Sequence, residues 1–371
     1  MKKSDICCVF NIGPHYREPI YKAMSENLNC HFYFGDRVDT DIKKFEYQKL
    51  DGFCGELQRK ELFGGFHWQK GVVELINKEY TKFIVTGDPF CLSTWILAIL
   101  CKLKKKKIVA WTHGWYGREN GIKKFVKKTF FKLFTHILTY NEYSLMLMKE
   151  EGFASEKLSC IANSLDSSRQ KNIRENLHKT DIYTAHFENS FPIILYCGRI
   201  QKRKKINLLV DCVKKLKERN IDCNLVIVGK DVDGVDISTM VKSRGLENNV
   251  WEYGACYDEK VIGELFYNAA VCVSPGNVGL TSIHSLTYGC PVVTHDDLTT
   301  QMPEFEAIID GVTGSFYKYG NNEDMLNKIS FWLNIAEEKR ETVRNTAFEE
   351  IDRKWNINSQ ICVLQKVLDT L

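Results

Sequence analysis

Ser274-Pro275-Gly276-Asn277-Val278-Gly279-Leu280-Thr281-Ser282-Ile283-His284 leads from an apolar run through a glycine-bearing loop into a helix-forming pattern. That pattern closes at Gly289, before Pro291-Val292-Val293-Thr294. Such a loop presents free backbone amides and the positive end of a helix, which suits an anion such as a diphosphate. Thr281 is the expected N-cap, with Ser282 and Ile283 at the first helical positions. An ordinary strand-to-helix turn fits the same residues. A second candidate is Gly198-Arg199-Ile200-Gln201-Lys202-Arg203-Lys204-Lys205-Ile206. Cations directly after a strand, at the edge where open α/β sheets bind ligands, can neutralise charge growing on a leaving diphosphate. A solvated basic loop is the plainer alternative.

In the first half, Ala110-Trp111-Thr112-His113-Gly114-Trp115 places a histidine straight after a strand. His113 is either a hydrogen-bonded structural residue or a catalytic one, because its role depends on a partner remote in sequence. Gly13-Pro14-His15-Tyr16-Arg17-Glu18 forms a similar turn into a helix, but it lacks the GxGxxG spacing of a dehydrogenase. Asp39/Asp41 and Asp231/Asp233 have DxD spacing. Hard cations need several converging oxygens, so no metal is assigned. The histidines show no HxxxH or HxH spacing, which leaves zinc without support.

The elements that must position these residues are short apolar runs alternating with amphipathic stretches, the sign of βαβ units and parallel sheets. Strands are expected at 5–11, 30–34, 83–86, 107–111 and 136–140. Helices are expected near 18–26, 71–79, 92–103, 122–134 and 142–150. The series restarts with strands at 193–197, 224–228, 250–253, 271–274 and 291–294, and helices at 206–219 and near 237–244. Residues 164–190 are polar without a sustained period and read as the linker. The expected domains are residues 1–180, residues 181–350 and a helical tail, 351–371, packing back on the first.

With 371 residues, a single small module is excluded; 44% hydrophobic and 26% charged residues describe an ordinary globular chain. The longest near-apolar run, Phe90 to Cys101, is far short of the ~20 residues needed to cross a bilayer. The N-terminus reads as a strand rather than a signal peptide, so the protein is expected in the cytosol. The 14 cysteines form no CxxC pair and read as reduced core residues. The net charge of +4 conceals an asymmetry: residues 1–180 carry an excess of ten basic groups, and the remainder an excess of six acidic ones. Basic residues peak between 102 and 134, where Lys123, Lys124, Lys127, Lys128 and Lys132 interleave with Phe125, Phe130, Phe131 and Phe134. That segment can lie on an anionic membrane surface, or its aromatics can face the core while its lysines are solvated. No nucleic-acid-binding motif accompanies it.

Taken together these segments resemble the family-4 glycosyltransferases over nearly the whole chain. Gly198-Arg199-Ile200 with Lys204 looks like that family's strand-end pair, and Asn163-Ser164-Leu165-Asp166 is similar to its segment before the linker. Cys290-Pro291-Val292-Val293, Pro303-Glu304 and Asp310-Gly311-Val312-Thr313-Gly314 follow in order. The resemblance implies an α/β protein of GT-B fold, with two Rossmann-like doubly wound domains facing a central cleft. It implies retaining transfer of a sugar from a nucleotide-diphosphate sugar, a UDP-sugar being favoured, without other cofactors. Arg199 and Lys204 would hold the donor diphosphate, Gly279, Leu280 and Thr281 would meet it through amides, His113 would approach the transferred sugar, and Gly13 would let the first loop come close. The family's paired glutamates align with Gly276 and His284; Asn277 and His284 would stand in for them. The expected acceptor is a lipid-linked saccharide of bacterial surface polysaccharide synthesis, such as O-antigen or capsule, met at the inner face of the cell membrane. A sugar-nucleotide-binding partner subunit without turnover, or a sugar-nucleotide epimerase, are the alternatives.

Overall fold

The computed structural model describes residues 4–39 and 42–371, so Asp41 of the first DxD pair lies outside the described residues. The chain forms two compact units, one running to Asp166 and resuming at Asn356–Leu371, the other Ser167–Trp355.

The first unit is built on β1 (Ile6–Phe10), β2 (His31–Gly35), β3 (Phe53–Leu57), a hairpin of β4 (Arg59–Glu61) and β5 (His67–Gln69), then β6 (Lys82–Thr86), β7 (Lys107–Thr112), β8 (His136–Thr139) and β9 (Leu158–Cys160). Seven strands pair in parallel in the order β3-β2-β1-β6-β7-β8-β9. β1 is buried along its whole length, as expected of a strand covered on both faces. One face carries α1 (Glu18–Leu28), through Ile20, Tyr21 and Met24. The other carries α2 (Leu92–Leu103), α3 (Gly121–Phe131) and α4 (Glu142–Glu150), through Leu97, Phe130 and Met148. Sequence order reverses between β1 and β6, so the loops after those strands flank the switch point where open sheets bind ligands. The helix expected at 71–79 is only a 3-10 turn, Val73–Asn77. Val72, Leu75 and Ile76 reach the core there at helical spacing, and one turn suffices to bury them.

The second unit opens with α5 (Ser167–Arg174) and α6 (Ile182–Phe187) and continues as β10 (Ile193–Cys197), α7 (Ile206–Glu218), β11 (Asn224–Val228), α8 (Ile237–Lys242) and β12 (Val250–Gly254). It then runs through α9 (Glu259–Asn268), β13 (Val271–Ser274), α10 (Leu280–Thr287), β14 (Val292–His295), β15 (Gly314–Tyr317), α11 (Asn322–Leu333) and α12 (Glu337–Arg353). Its sheet is parallel, in the order β12-β11-β10-β13-β14-β15, with the switch point between β10 and β13. Residues 164–190 hold two helices where a linker is expected. Gln170 Nε2 donates to Glu259, the Tyr183 hydroxyl to the Leu265 carbonyl, and Arg174 Nη2 to Asp352, so tertiary bonds hold segments that lack an apolar period. For that reason the division falls at 166/167 and not near 180. The chain then returns to the first unit as α13 (Ile357–Thr370), whose Ile357, Leu364, Val367 and Leu368 join the core beneath α1. All 14 cysteines are free, and nine of them are buried.

Candidate functional site

In the second unit both candidate loops lie at the switch point. The β10 strand ends at Gly198, and the turn after it is pinned by the Tyr196 hydroxyl donating to the Arg199 carbonyl at 2.8 Å. Arg199 is exposed. Lys204 reaches across the switch point, and its ammonium donates to the Asn277 carbonyl at 2.5 Å. Burial first, then the charges of Arg203 and Arg199, hold Lys204 down at about 8, while Glu304 opposes them. A cation crowded by other cations is poised to gain an anion, because adding one relieves repulsion and desolvation together.

The loop after β13 is closed by its own backbone. The Gly276 amide donates to the Lys204 carbonyl at 3.0 Å, and the Val278 amide donates to Gln301 Oε1 at 2.7 Å. A Cβ at Gly276 would stand 2.3 Å from the Arg203 carbonyl oxygen, so no side chain fits there without moving the loop. The α10 helix (Leu280–Thr287) starts two residues earlier than expected: Gly279 is its N-cap, and Thr281 lies in the first turn, donating its hydroxyl to the Cys197 carbonyl at 2.9 Å. Thr281 therefore ties α10 to β10 instead of capping it. Among the described residues no protein acceptor takes the amides of Gly279, Leu280 or Thr281. Asn277 Oδ1 is buried without a partner among the described residues. Arg199, Lys204, Asn277 and these three amides are thus brought together around one switch point.

His284 is placed differently from the expectation. Its Nε2 lies 2.7 Å from Glu259 Oε1, an oxygen that also accepts from Tyr288 and Gln170. Burial alone would push the Glu259 carboxyl up; hydrogen bonds and charge from His284, with help from Gln170 and Tyr288, hold it at about 2. Nε2 of His284 is therefore engaged with a carboxylate of α9. One acid, Glu259, escaped sequence reasoning, and the role of a second, Glu304, did too. Glu259 carries no local signal, since it meets His284 only through the packing of two helices. Glu304 was visible only as part of a pattern, yet it is 3% exposed, its Oε2 would lie 4.0 Å from a Cβ at Gly279, and its charge acts on Lys204. Asp231 and Asp233 accept backbone amides of Asp233, Val235 and Lys202, which staple their loop.

In the first unit His113 follows β7 with its ring beside Tyr140, 4.9 Å between centroids, and near Tyr116. Burial, then the charges of Arg17 and Lys127, hold it down at about 4, so the imidazole is neutral at physiological pH. Gly13 has a packing reason for its identity: a Cβ would meet Phe45 at 2.6 Å and Tyr47 at 2.7 Å, and its amide donates to the Tyr47 hydroxyl.

Residues 181–350 match the family model described as glycosyl transferases group 1. Among curated proteins, the alpha-D-kanosaminyltransferase of Streptomyces kanamyceticus is 24% identical over 186 residues, 49% of this chain; the match spans about half that relative's length, 47%. Among solved structures, Anabaena HepE in complex with UDP superposes with a TM-score of 0.74 at 15% identity, covering 99% of this chain and 100% of that one. The lipopolysaccharide outer core galactosyltransferase WaaB, in its apo form, gives 0.69 at 14% identity, with 99% of each chain covered. The fold is GT-B. Within that GT-B chain, the group 1 match begins inside the second unit and contains every residue of the cation-and-amide cluster described above.

Proposed function

We propose that the protein is a glycosyltransferase of family-4 type, which binds a nucleotide-diphosphate sugar on its second unit and transfers the sugar with retention at the anomeric carbon. The observation that carries this reading is the Lys204 ammonium, held against the Asn277 carbonyl beside three amides without acceptors. As the bond to the sugar breaks, negative charge grows on the diphosphate. Lys204, Arg199 and the N-terminus of α10 supply preorganised positive charge to meet it. The proton of the acceptor hydroxyl passes to a donor phosphate oxygen, so no dedicated carboxylate base is needed. His113, neutral, is the first unit's candidate hydrogen-bonding group for a sugar. HepE was solved with UDP, which favours a UDP-sugar as donor.

The proposed acceptor is a lipid-linked saccharide of surface polysaccharide synthesis, met at a membrane surface. Trp95 and Phe130 pack 5.0 Å apart, which sets α2 beside α3. Their outer faces expose Ile96, Ile99, Leu103, Ile122 and Phe125, with Lys102, Lys104, Lys105 and Lys123 also exposed. Phe130, Phe131 and Phe134 belong to the core instead, and Lys124 and Lys127 are ion-paired with Glu151 and Glu119. The membrane contact is therefore assigned to Ile122, Phe125 and Lys123 together with the end of α2. No described helix is long and apolar enough to cross a membrane.

The test is calorimetry with UDP, GDP and TDP, followed by transfer from the matching sugar nucleotide in the presence of anionic vesicles. One nucleotide should bind, and Lys204→Met and Arg199→Ala should each lower transfer about 100- to 1000-fold. Unchanged transfer in both variants would refute the cradle. Tight binding without turnover, with or without vesicles, would favour a binding subunit.

A further inference from the structure

The first unit holds a cation that donor binding leaves unused. Arg17 stands at the entrance to α1, and its guanidinium lies over Trp111, 4.5 Å from the ring centre, and near Tyr140 and Tyr21 at 5.3 and 5.8 Å. Nη1 donates to the Tyr140 hydroxyl. Nε and Nη2 are buried and have no acceptor among the described residues. Among the described residues the indole Nε1 of Trp111, a residue only 2% exposed, has no acceptor either, nor does Nδ1 of His113 have a partner. No side chain caps the N-terminus of α1. Aromatic faces offset part of the cost of holding a guanidinium away from water, but they leave its N–H groups unsatisfied. Nε and Nη2 form one straight edge of the guanidinium, the edge that matches two oxygens of a planar or tetrahedral oxyanion. Arg17 and His113 each keep part of their surface exposed, so the cluster borders solvent although the unpaired N–H groups themselves are buried.

We propose that the Nε–Nη2 edge of Arg17, with the indole N–H of Trp111, binds an oxyanion carried by the substrate of the first unit, either a phosphate ester or a carboxylate. This site is separate from the diphosphate cradle of the second unit, and it stands or falls on the first unit alone.

His113 reports on it, because Arg17 is one of the charges holding that imidazole neutral; Lys127, Tyr140 and Tyr116 are the other titratable groups facing the ring. The experiment follows the His113 imidazole by NMR in the full chain without nucleotide, with inorganic phosphate in one arm and glucuronate in the other, and chloride as control. A bound oxyanion should raise the His113 midpoint by about one pH unit, and the arm that does so identifies the source. Arg17→Met should abolish the response and weaken binding at least about tenfold. Arg17→Lys, which keeps the charge but loses the fork, should bind more weakly than the parent. Lys204→Met should respond like the parent. The proposal is overturned if neither anion moves His113, if Arg17→Met responds like the parent, or if Lys204→Met loses the response. A lower Tm for Arg17→Met with no anion response in the parent would make Arg17 a structural residue only.

Discussion

The two units share a doubly wound parallel sheet; in the second the loops of interest leave the two strands that flank the switch point, in the first they leave β1 and β7, on either side of β6, and the chemistry there differs. In the second unit a lysine and an arginine face a glycine loop, with one buried acid, Glu304, nearby. In the first unit aromatic rings surround an arginine, and burial, then the charges of Arg17 and Lys127, hold a histidine neutral. The topology therefore fixes where a ligand can sit, and the side chains after each strand decide which ligand it is. The cradle of the second unit suits a diphosphate because its cations repel one another until an anion arrives. In the first unit the faces of Trp111 and Tyr140 are already taken by the Arg17 guanidinium, so that box offers unpaired N–H groups where the second unit offers cations and amides.

The comparison breaks first on pH. With Lys204 at about 8 in the free protein and Arg203 and Arg199 charged throughout, nucleotide affinity should fall about tenfold per pH unit above 8, as the cation is lost. Lys204→Arg should flatten that profile, and calorimetry from pH 7 to 10 reads both. If Lys204→Met showed the same decline as the parent, some other group would be titrating, and Lys204 would lose its assigned part in the cradle.

The first unit should respond at the other end of the scale. His113 is held at about 4 in the folded chain against 6.5 in the unfolded one, so its folded value is depressed. Stability is therefore full above pH 6.5 and is lost as pH falls toward 4, because only the unfolded chain takes up the proton in that window. The loss is about 3 kcal/mol at pH 4. Denaturant unfolding of His113→Gln should show that much less acid sensitivity than the parent between pH 6.5 and 4. Equal sensitivity would mean that water reaches the ring and that the aromatic box is looser than its contacts imply.

These contrasts were unevenly legible in the sequence. The strand Ile193–Cys197 and the strand Asn224–Val228 match the expectation residue for residue, because a strand buried on both faces must be apolar throughout. Phe53–Leu57 escaped, since an edge strand containing Gly55 and Glu56 has no such run. The Arg199–Lys204 loop was legible from cations following a strand. Glu259 was not, because it acts on its partner only through tertiary packing; Glu304 was legible in the Pro303-Glu304 motif, but its action on Lys204 was not. The helix over 167–174 was hidden for the same reason: its mean character is polar, and Gln170 and Arg174 hold it through Glu259 and Asp352.

Gly276 gives the smallest and sharpest test. The family pattern has a glutamate at this position, and restoring one by Gly276→Glu tests whether the cradle tolerates the change. A Cβ there would sit 2.3 Å from the Arg203 carbonyl oxygen and 2.8 Å from the Lys204 Cα, both backbone atoms that cannot rotate aside. The variant should lose about 2 kcal/mol of stability through forced backbone shifts. It should also weaken nucleotide binding, because the loop that must move carries the Lys204 carbonyl bonded to the Gly276 amide. Gly276→Ala separates the causes: it brings the same Cβ without a carboxylate. If alanine were tolerated and glutamate were not, charge near Glu304 would be the obstacle. If both lost stability alike, the close approach of two backbones at the switch point is what requires glycine in this chain, and the acidic contact must come from elsewhere in the second unit.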